Sequence, residues 1–254
     1  MRTPAFRHIE LRDVASTNAE CMDRARAGDA GDLWITAERQ TGGRARRGRS
    51  WVSEPGNLYA SLLLINPAPW SAMASLPLAV TVAVYDAVVA VLPGGQARFR
   101  IKWPNDLLID GAKTAGILIE SETVGDGRTA VVIGCGLNVA HRPDEGLYQT
   151  TCLREHGSAA TPQELFARLV VSMDATLARW DEGRGVGTIR DAWLERADGI
   201  GKPVTVNLPD RQIHGLFDGI DGDGRLVLAA SDGTRQLIAS GDVFFASAKD
   251  NQTG

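Results

Sequence analysis

Leu33-Trp-Ile-Thr-Ala-Glu-Arg-Gln-Thr-Gly-Gly-Arg-Ala-Arg-Arg-Gly-Arg-Ser-Trp51 passes from a strand pattern into a loop of dense positive charge. Leu33 to Glu38 reads as a strand, and so does Leu58 to Ile65 beyond the loop. Five arginines fall between Arg39 and Arg49 with no acid among them. Like charges at this density repel, which predicts that Arg39 to Ser50 is poorly ordered without a ligand. Gly42, Gly43 and Gly48 let the backbone approach a ligand closely. Arginine forks match phosphate and carboxylate oxygens. The loop therefore suits a compact polyanion. A solvated loop or a nucleic-acid-binding arm would share this composition, but such an arm usually lies on a tail rather than between two core strands.

The chain has 254 residues, 44% of them hydrophobic and 23% charged, enough for a sizeable core. Net charge is −4; without the five loop arginines it would be −9, with 22 basic residues against 31 acidic. Non-specific nucleic-acid binding by the whole surface is thereby disfavoured, and any basic function must be local. Cys21, Cys135 and Cys152 form no CxxC pair, which argues against a disulfide framework or structural zinc and for a reducing cytoplasm. Met1 to Arg12 lacks the apolar run of a signal peptide. Leu76 to Leu92 is apolar but interrupted by Pro77, Thr81, Tyr85 and Asp86, so it reads as a buried core helix rather than a membrane span.

A helix is expected from Thr17, with Thr17 and Glu20 as a capping box, to a stop at Gly28. Arg98 to Trp103 reads as a strand ended by Pro104. Leu107 to Ile109, the turn Asp110-Gly111, and Thr114 to Glu122 read as a hairpin. Thr129 to Val139 is a further strand. Thr161-Pro-Gln-Glu164 opens a helix to about Trp180, and Val186 to Ala197 a shorter one. After Gly199, four short alternating segments (Val204 to Leu208, Gln212 to Gly219, Arg225 to Ala230, Arg235 to Ala239) predict a small barrel-like β module.

Four further clusters could carry chemistry. Ser16-Thr17-Asn18 offers small polar groups at a helix start, suited to a urea-like ligand or simply to capping. Lys102-Trp-Pro-Asn-Asp106 ends a strand; Asp106 there could hold a metal or orient an amine, or the segment could be an ordinary turn. Lys113 precedes an apolar segment and could meet a carboxylate, although lysines at strand edges are commonly solvated. Gly134-Cys-Gly-Leu-Asn138 lacks the third glycine of a dinucleotide fingerprint, yet would let backbone approach a flat ring. Walker-A, HExxH and GxSxG patterns are absent, and the four histidines are far apart in sequence.

Taken in order and spacing, Ser16-Thr-Asn18, Gln40-Thr-Gly-Gly-Arg-Ala-Arg-Arg-Gly-Arg-Ser-Trp51, Lys102-Trp-Pro-Asn-Asp106, Lys113-Thr-Ala-Gly-Ile-Leu118 and Gly134-Cys-Gly-Leu-Asn138 resemble the biotin–protein ligases over nearly the whole chain. The resemblance implies an α+β fold: a class II synthetase-like mixed sheet with helices over residues 1–199, then an SH3-like barrel over 200–254. It implies a two-step reaction with biotin as substrate, ATP and Mg2+. Biotinyl-5′-AMP forms first, and biotin then passes to a lysine of a biotin carboxyl carrier protein domain. By the same resemblance Arg46, Lys113 and Asp106 are catalytic, and Asn105 and Asp106 hold the metal. Ser16, Thr17, Asn18 and Gln40 meet the ureido ring, and Gly116 lies along the apolar chain. Gly43, Arg44, Ala45 and Lys102 complete the binding set, with Trp51 and Asn138 on the adenylate and Arg49 as an additional cation.

Two positions depart from the family pattern, which usually has Gly where Ala45 stands and Ala where Gly42 stands. If Ala45 must take φ > 0 on loop closure, closure costs about 1–2 kcal/mol and Ala45→Gly leaves activity equal or higher. Only 15 residues precede Ser16, too few for the DNA-binding domain of some relatives, so a ligase without DNA or membrane contact is expected, as monomer or homodimer. A lipoyl or octanoyl transferase of the same fold is the alternative, and a nucleic-acid-binding module the rival from another class.

Overall fold

The computed structural model describes residues 6–94, 98–143, 149–230 and 232–245. Seven strands form one mixed sheet: β1 (Arg7–Val14), β2 (Leu33–Gln40), β3 (Leu58–Ile65), β4 (Phe99–Lys102), β5 (Asp106–Ile109), β6 (Ala112–Val124) and β7 (Arg128–Leu137). Their spatial order is β1-β2-β3-β7-β6-β5-β4. β1 and β2 run parallel, joined by the crossover helix α1 (Thr17–Arg26); the other neighbours are antiparallel. β5 and β6 turn at Asp110 and Gly111, both with positive φ (50° and 85°), as the two-residue hairpin predicted.

The pleat sorts side chains onto two faces. Leu58, Ala60, Leu62 and Leu64 of β3, with Val131, Ile133, Cys135 and Leu137 of β7, join the main core beneath α2 (Leu76–Val89), α3 (Pro162–Trp180) and α4 (Val186–Arg196). Leu63, Ala130 and Val132 face the other way, against Cys21, Met22 and Ala25 of α1. The same alternation puts Ser61, Gly116, Leu118, Glu120, Gly134 and Gly136 on the α1 face. Gly116 is paired with Gly136, and Gly134 with both Leu118 and Ser61.

α2 is buried at ten of its 14 positions. The stretch Trp70–Val89 is long and apolar enough to cross a membrane, yet a helix hydrophobic all round also suits the centre of a large core, and this one lies between sheet and helices. Trp180 and Trp193 are likewise internal, with Trp180 Nε1 donating to Ser75 Oγ (2.9 Å). α3 opens where Thr161-Pro-Gln-Glu164 places it, on a capping box: Glu164 N–H donates to Thr161 Oγ1 (3.2 Å), and Thr161 N–H to Glu164 Oε2 (2.8 Å).

The capping box expected at α1 does not form. Ser16, extended at φ −160°, is the N-cap and makes no side-chain cap bond. The orphan N–H of Thr17 is met by Gln40 Oε1 (2.9 Å), and Glu20 pairs with Arg24 (3.0 Å). The first strand was not foreseen; it is an edge strand with charge along both faces.

The C-terminal module has five antiparallel strands, one more than expected: β8 (Pro203–Asn207), β9 (Gln212–Ile220), β10 (Leu226–Ala229), β11 (Arg235–Ile238) and β12 (Asp242–Phe245). Their order, β11-β10-β9-β8-β12, is open, and no closed barrel forms among the described residues. The module is fastened to the rest of the protein by Trp103 Nε1, just past β4, which donates to Gly224 O (2.9 Å), and by Arg190 Nε of α4, which donates to Ile220 O (2.8 Å).

Candidate active site

A cavity of about 440 Å³ opens on the α1 face, bounded by the arginine loop, the β4–β5 turn, β6, β7 and the start of β12. Of the catalytic, metal and binding residues that the resemblance implies, all except Gly43 line it, while Gly42 and Gly48 of the loop do not. Gly43 sits just behind: a Cβ there would lie 2.4 Å from Trp51 O and 2.5 Å from Ser53 Oγ. Only glycine permits so close a crossing of the two loop stems.

The α1 turn forms a neutral polar wall. Ser16, Thr17 and Asn18 are buried. Thr17 Oγ1 donates to Gln40 Oε1 (3.1 Å), and Gln40 Nε2 donates to Ser53 Oγ (2.9 Å). Ser61 Oγ lies 2.7 Å from Thr17 Oγ1 and 2.6 Å from Asn18 Oδ1, so its single proton is shared between two acceptors. Asn18 Nδ2 donates to Glu120 Oε2 (2.8 Å) and Leu118 O (3.3 Å). Gly134 makes room for this amide, since a Cβ there would stand 2.2 Å from Asn18 Oδ1.

The opposite wall is cationic. Arg44, Arg46, Arg49, Lys102 and Lys113 line the cavity against Asp106 and Asp242. The loop is a small hairpin: Ala45 N–H donates to Arg49 O (2.7 Å), Trp51 N–H to Gly43 O (2.9 Å), and Arg44 bridges Ser50. Its left-handed positions are Arg47 (φ 58°) and Gly48 (φ 70°), while Ala45 is extended at φ −120° and needs no glycine-like freedom. Carboxylates offset the repulsion among the arginines. Arg44 pairs with Glu120 (2.9 Å), and Arg47 and Arg49 both pair with Asp242 of β12 (2.9 and 3.1 Å). Arg46 donates instead to Asn105 Oδ1 (3.0 Å), and burial pushes its guanidinium below the ordinary arginine value. Burial likewise lowers Lys102, whose ammonium lies 5.4 Å from the Phe244 ring centre.

Asp106 and Lys113 meet across β5 and β6 at 2.7 Å. Lys113 also stands 5.4 Å from the ring centre of Trp51. That indole rests on the paired glycines of the floor: a Cβ would lie 3.0 Å from it at Gly116 and 2.7 Å at Gly136. Its buried Nε1 has no acceptor among the described residues. Asn138 Nδ2 donates to Thr151 O (3.1 Å), which ties the end of β7 to the next segment.

The two residues expected to hold Mg2+ differ in fit. Asn105 uses its oxygen for Arg46 and its nitrogen for Ile117 O. Asp106 lines the cavity with its Oδ1 on Lys113, and no group of three His, Cys, Asp or Glu side chains gathers anywhere among the described residues. A metal that arrives on substrate phosphates needs only one or two carboxylates, and Asp106 suits that part.

Sequence reasoning missed Ser53, Ser61, Glu120 and Asp242. Ser61 and Glu120 were discoverable from strand alternation, because each shares a face with Gly116, Gly134 and Gly136. Asp242 sits on β12, the C-terminal strand that was not foreseen.

Residues 14–138 match the family model described as Biotin/lipoate A/B protein ligase family, and residues 199–246 match Biotin protein ligase C terminal domain. A curated relative, the Biotin--[acetyl-CoA-carboxylase] ligase of Paracoccus denitrificans, is 39% identical over 92% of this chain and 99% of its own length. The chain belongs to the biotin–protein ligase family. The ligase of the same name from Mycobacterium tuberculosis is 34% identical over 92% of this chain and 86% of its own length. Among solved structures, the biotin protein ligase from Aquifex aeolicus in complex with biotin and ATP matches with a TM-score of 0.80 at 25% identity, covering 94% of this chain and 99% of that one.

Proposed function

We infer that this protein activates biotin with ATP as biotinyl-5′-AMP and transfers the biotinyl group to a lysine of a biotin carboxyl carrier domain. One observation carries the reading: a neutral hydrogen-bonding wall and a wall of five cations face each other across a glycine-paved floor. Such a site takes a flat polar ring whose carboxylate tail lies beside a polyanion.

In the first step a biotin carboxylate oxygen bonds to the α-phosphorus of ATP, and the bond to the pyrophosphate oxygen breaks. Both reactants are anions, so the dominant catalytic requirement is fixed positive charge. Arg44, Arg46 and Lys113 supply it, with Lys102 and Arg49 behind them. Burial of Lys102 and the partial burial of Arg46 and Lys113 strengthen their interactions, because water screens them less. Asp106 is the carboxylate that would hold a magnesium ion carried on the phosphates, which would neutralise further charge. The ureido ring is met by Ser16, Thr17, Asn18 and Gln40, and Gly116 leaves room for the apolar chain. Trp51 and Asn138 flank the adenylate, while Gly43 and Ala45 shape the loop that excludes water from the mixed anhydride.

In the second step the carrier lysine amine attacks the acyl carbon, the bond to the phosphate oxygen breaks, and AMP leaves with the electron pair. Asp106, once separated from Lys113, orients the incoming amine and takes its proton. Residues 1–199 act as the catalytic unit and residues 200–254 as a module that braces the arginine loop through Asp242. The site acts in the cytoplasm, where ATP and carrier domains are available.

Lipoyl or octanoyl transfer is less supported, since the curated relatives named above are biotin ligases. Incubation with biotin, MgATP and a carrier domain, followed by mass spectrometry, tests the proposal. The expected product is a carrier heavier by one biotinyl group. Transfer of lipoate in place of biotin would overturn it.

A further inference from the structure

Glu120 belongs to none of the sequence motifs, yet it touches both walls of the cavity. Its Oε2 accepts from Asn18 Nδ2 (2.8 Å) on α1 and from Arg44 Nη2 (2.9 Å) on the arginine loop. A second route joins the same two elements. Asn18 and Thr17 share Ser61 Oγ, Thr17 reaches Gln40, Gln40 reaches Ser53, and Ser53 Oγ donates to Trp51 O (3.0 Å). The loop is thus tied to the ring-binding turn at both stems, and Glu120 is the charged link on the Arg44 side. Strand alternation forces this placement: Glu120 lies on the α1 face of β6, two positions beyond Leu118 and four beyond Gly116.

We propose that Glu120 is a positioning residue that couples the biotin-binding turn to the arginine loop. One carboxylate oxygen holds the Asn18 amide and the Arg44 guanidinium together, so a ligand that engages Asn18 also sets Arg44. The proposal rests on the assignment of Asn18 and Arg44 to the biotin site. Without the carboxylate, the Asn18 amide nitrogen keeps only its longer bond to Leu118 O (3.3 Å) and loses its link to the loop, and Arg44 loses its counter-ion. The two residues then act independently.

A double-mutant cycle tests this, read as the biotin dissociation constant by calorimetry. In the wild-type background, Asn18→Ala and Arg44→Ala should be non-multiplicative, the double variant departing at least about 3-fold from the product of the single effects. In a Glu120→Ala background the two effects should multiply. Glu120→Gln, which keeps an acceptor for Asn18 but not the ion pair, should lose most of the coupling while retaining more affinity than Glu120→Ala. A purely structural role would weaken binding without changing the coupling. Multiplicative effects in the wild-type background, or coupling that survives Glu120→Ala, would overturn the proposal and leave the ligase reading intact. A wild-type protein that binds no biotin would overturn both.

Discussion

Substitution of Gly134 by alanine probes the geometry of the polar wall most directly. The added Cβ would stand 2.2 Å from Asn18 Oδ1, 2.8 Å from its Cγ and 2.9 Å from its Nδ2. Backbone pairing with Ser61 and Leu118 holds Gly134 on both sides, so the amide must move. Overpacking of this kind costs about 1–3 kcal/mol. The displaced amide also gives up its bonds with Ser61 and Glu120, each worth about 1 kcal/mol net. The sum is about 3–5 kcal/mol, and at about 2–4 °C per kcal/mol for a chain of this size the melting temperature should fall by roughly 6–20 °C. Loss of one well-placed hydrogen bond to the ring should weaken biotin binding about 10-fold. Calorimetric scanning and biotin titration measure the two effects. The combination Asn18→Ala with Gly134→Ala removes the clash, so stability should recover above that of Gly134→Ala alone while affinity stays low. Wild-type stability and affinity in Gly134→Ala would refute the packing argument.

Four other outcomes are expected. Arg46→Ala or Lys113→Ala should slow pyrophosphate release roughly 10²–10³-fold while circular dichroism remains that of the folded protein; wild-type turnover in either would remove the electrostatic basis of the first step. Ala45→Gly should leave adenylate formation within about 3-fold of wild type, because Ala45 is already extended; a large gain would show that the active loop takes another conformation. Burial lowers Lys102, so pyrophosphate release should decline with rising pH below the ordinary lysine value of about 10.4. The linked stability moves oppositely: the unfolded chain binds the extra proton between the two values, so this contribution rises with pH there. Lys102→Arg should shift the alkaline decline upward in a pH–rate profile. Burial pushes the Cys135 thiol, whose residue lines the cavity, up to about 12, leaving a thiolate fraction of about 10⁻⁴ at pH 8; activity should therefore survive maleimide treatment of the native protein.

Legibility from sequence followed the strength of local signals. Thr161-Pro-Gln-Glu164 carries its own start instructions, and α3 begins where they place it. Thr17 and Glu20 show the same spacing, yet Gln40 from another strand takes the helix N–H instead. The departure marks the polar wall, where tertiary contacts override capping. β1 and β12 escaped notice because one is a charged edge strand and the other is only four residues long. In the site, each catalytic, metal or binding residue that the resemblance implied sits at the cavity, with Gly43 just behind it. The counter-charges were not legible. An arginine-rich segment reads as self-repelling when its acids lie 76 and 195 residues away.

The pairing of Arg47 with Asp242 spans 195 residues. During synthesis the loop leaves the ribosome long before its counter-ion has been translated. Until β12 docks, two of its guanidiniums lack that partner, and the nascent chain holds an unfinished anion trap. The loop's charge balance is therefore completed late, when β12 of the second sheet has formed.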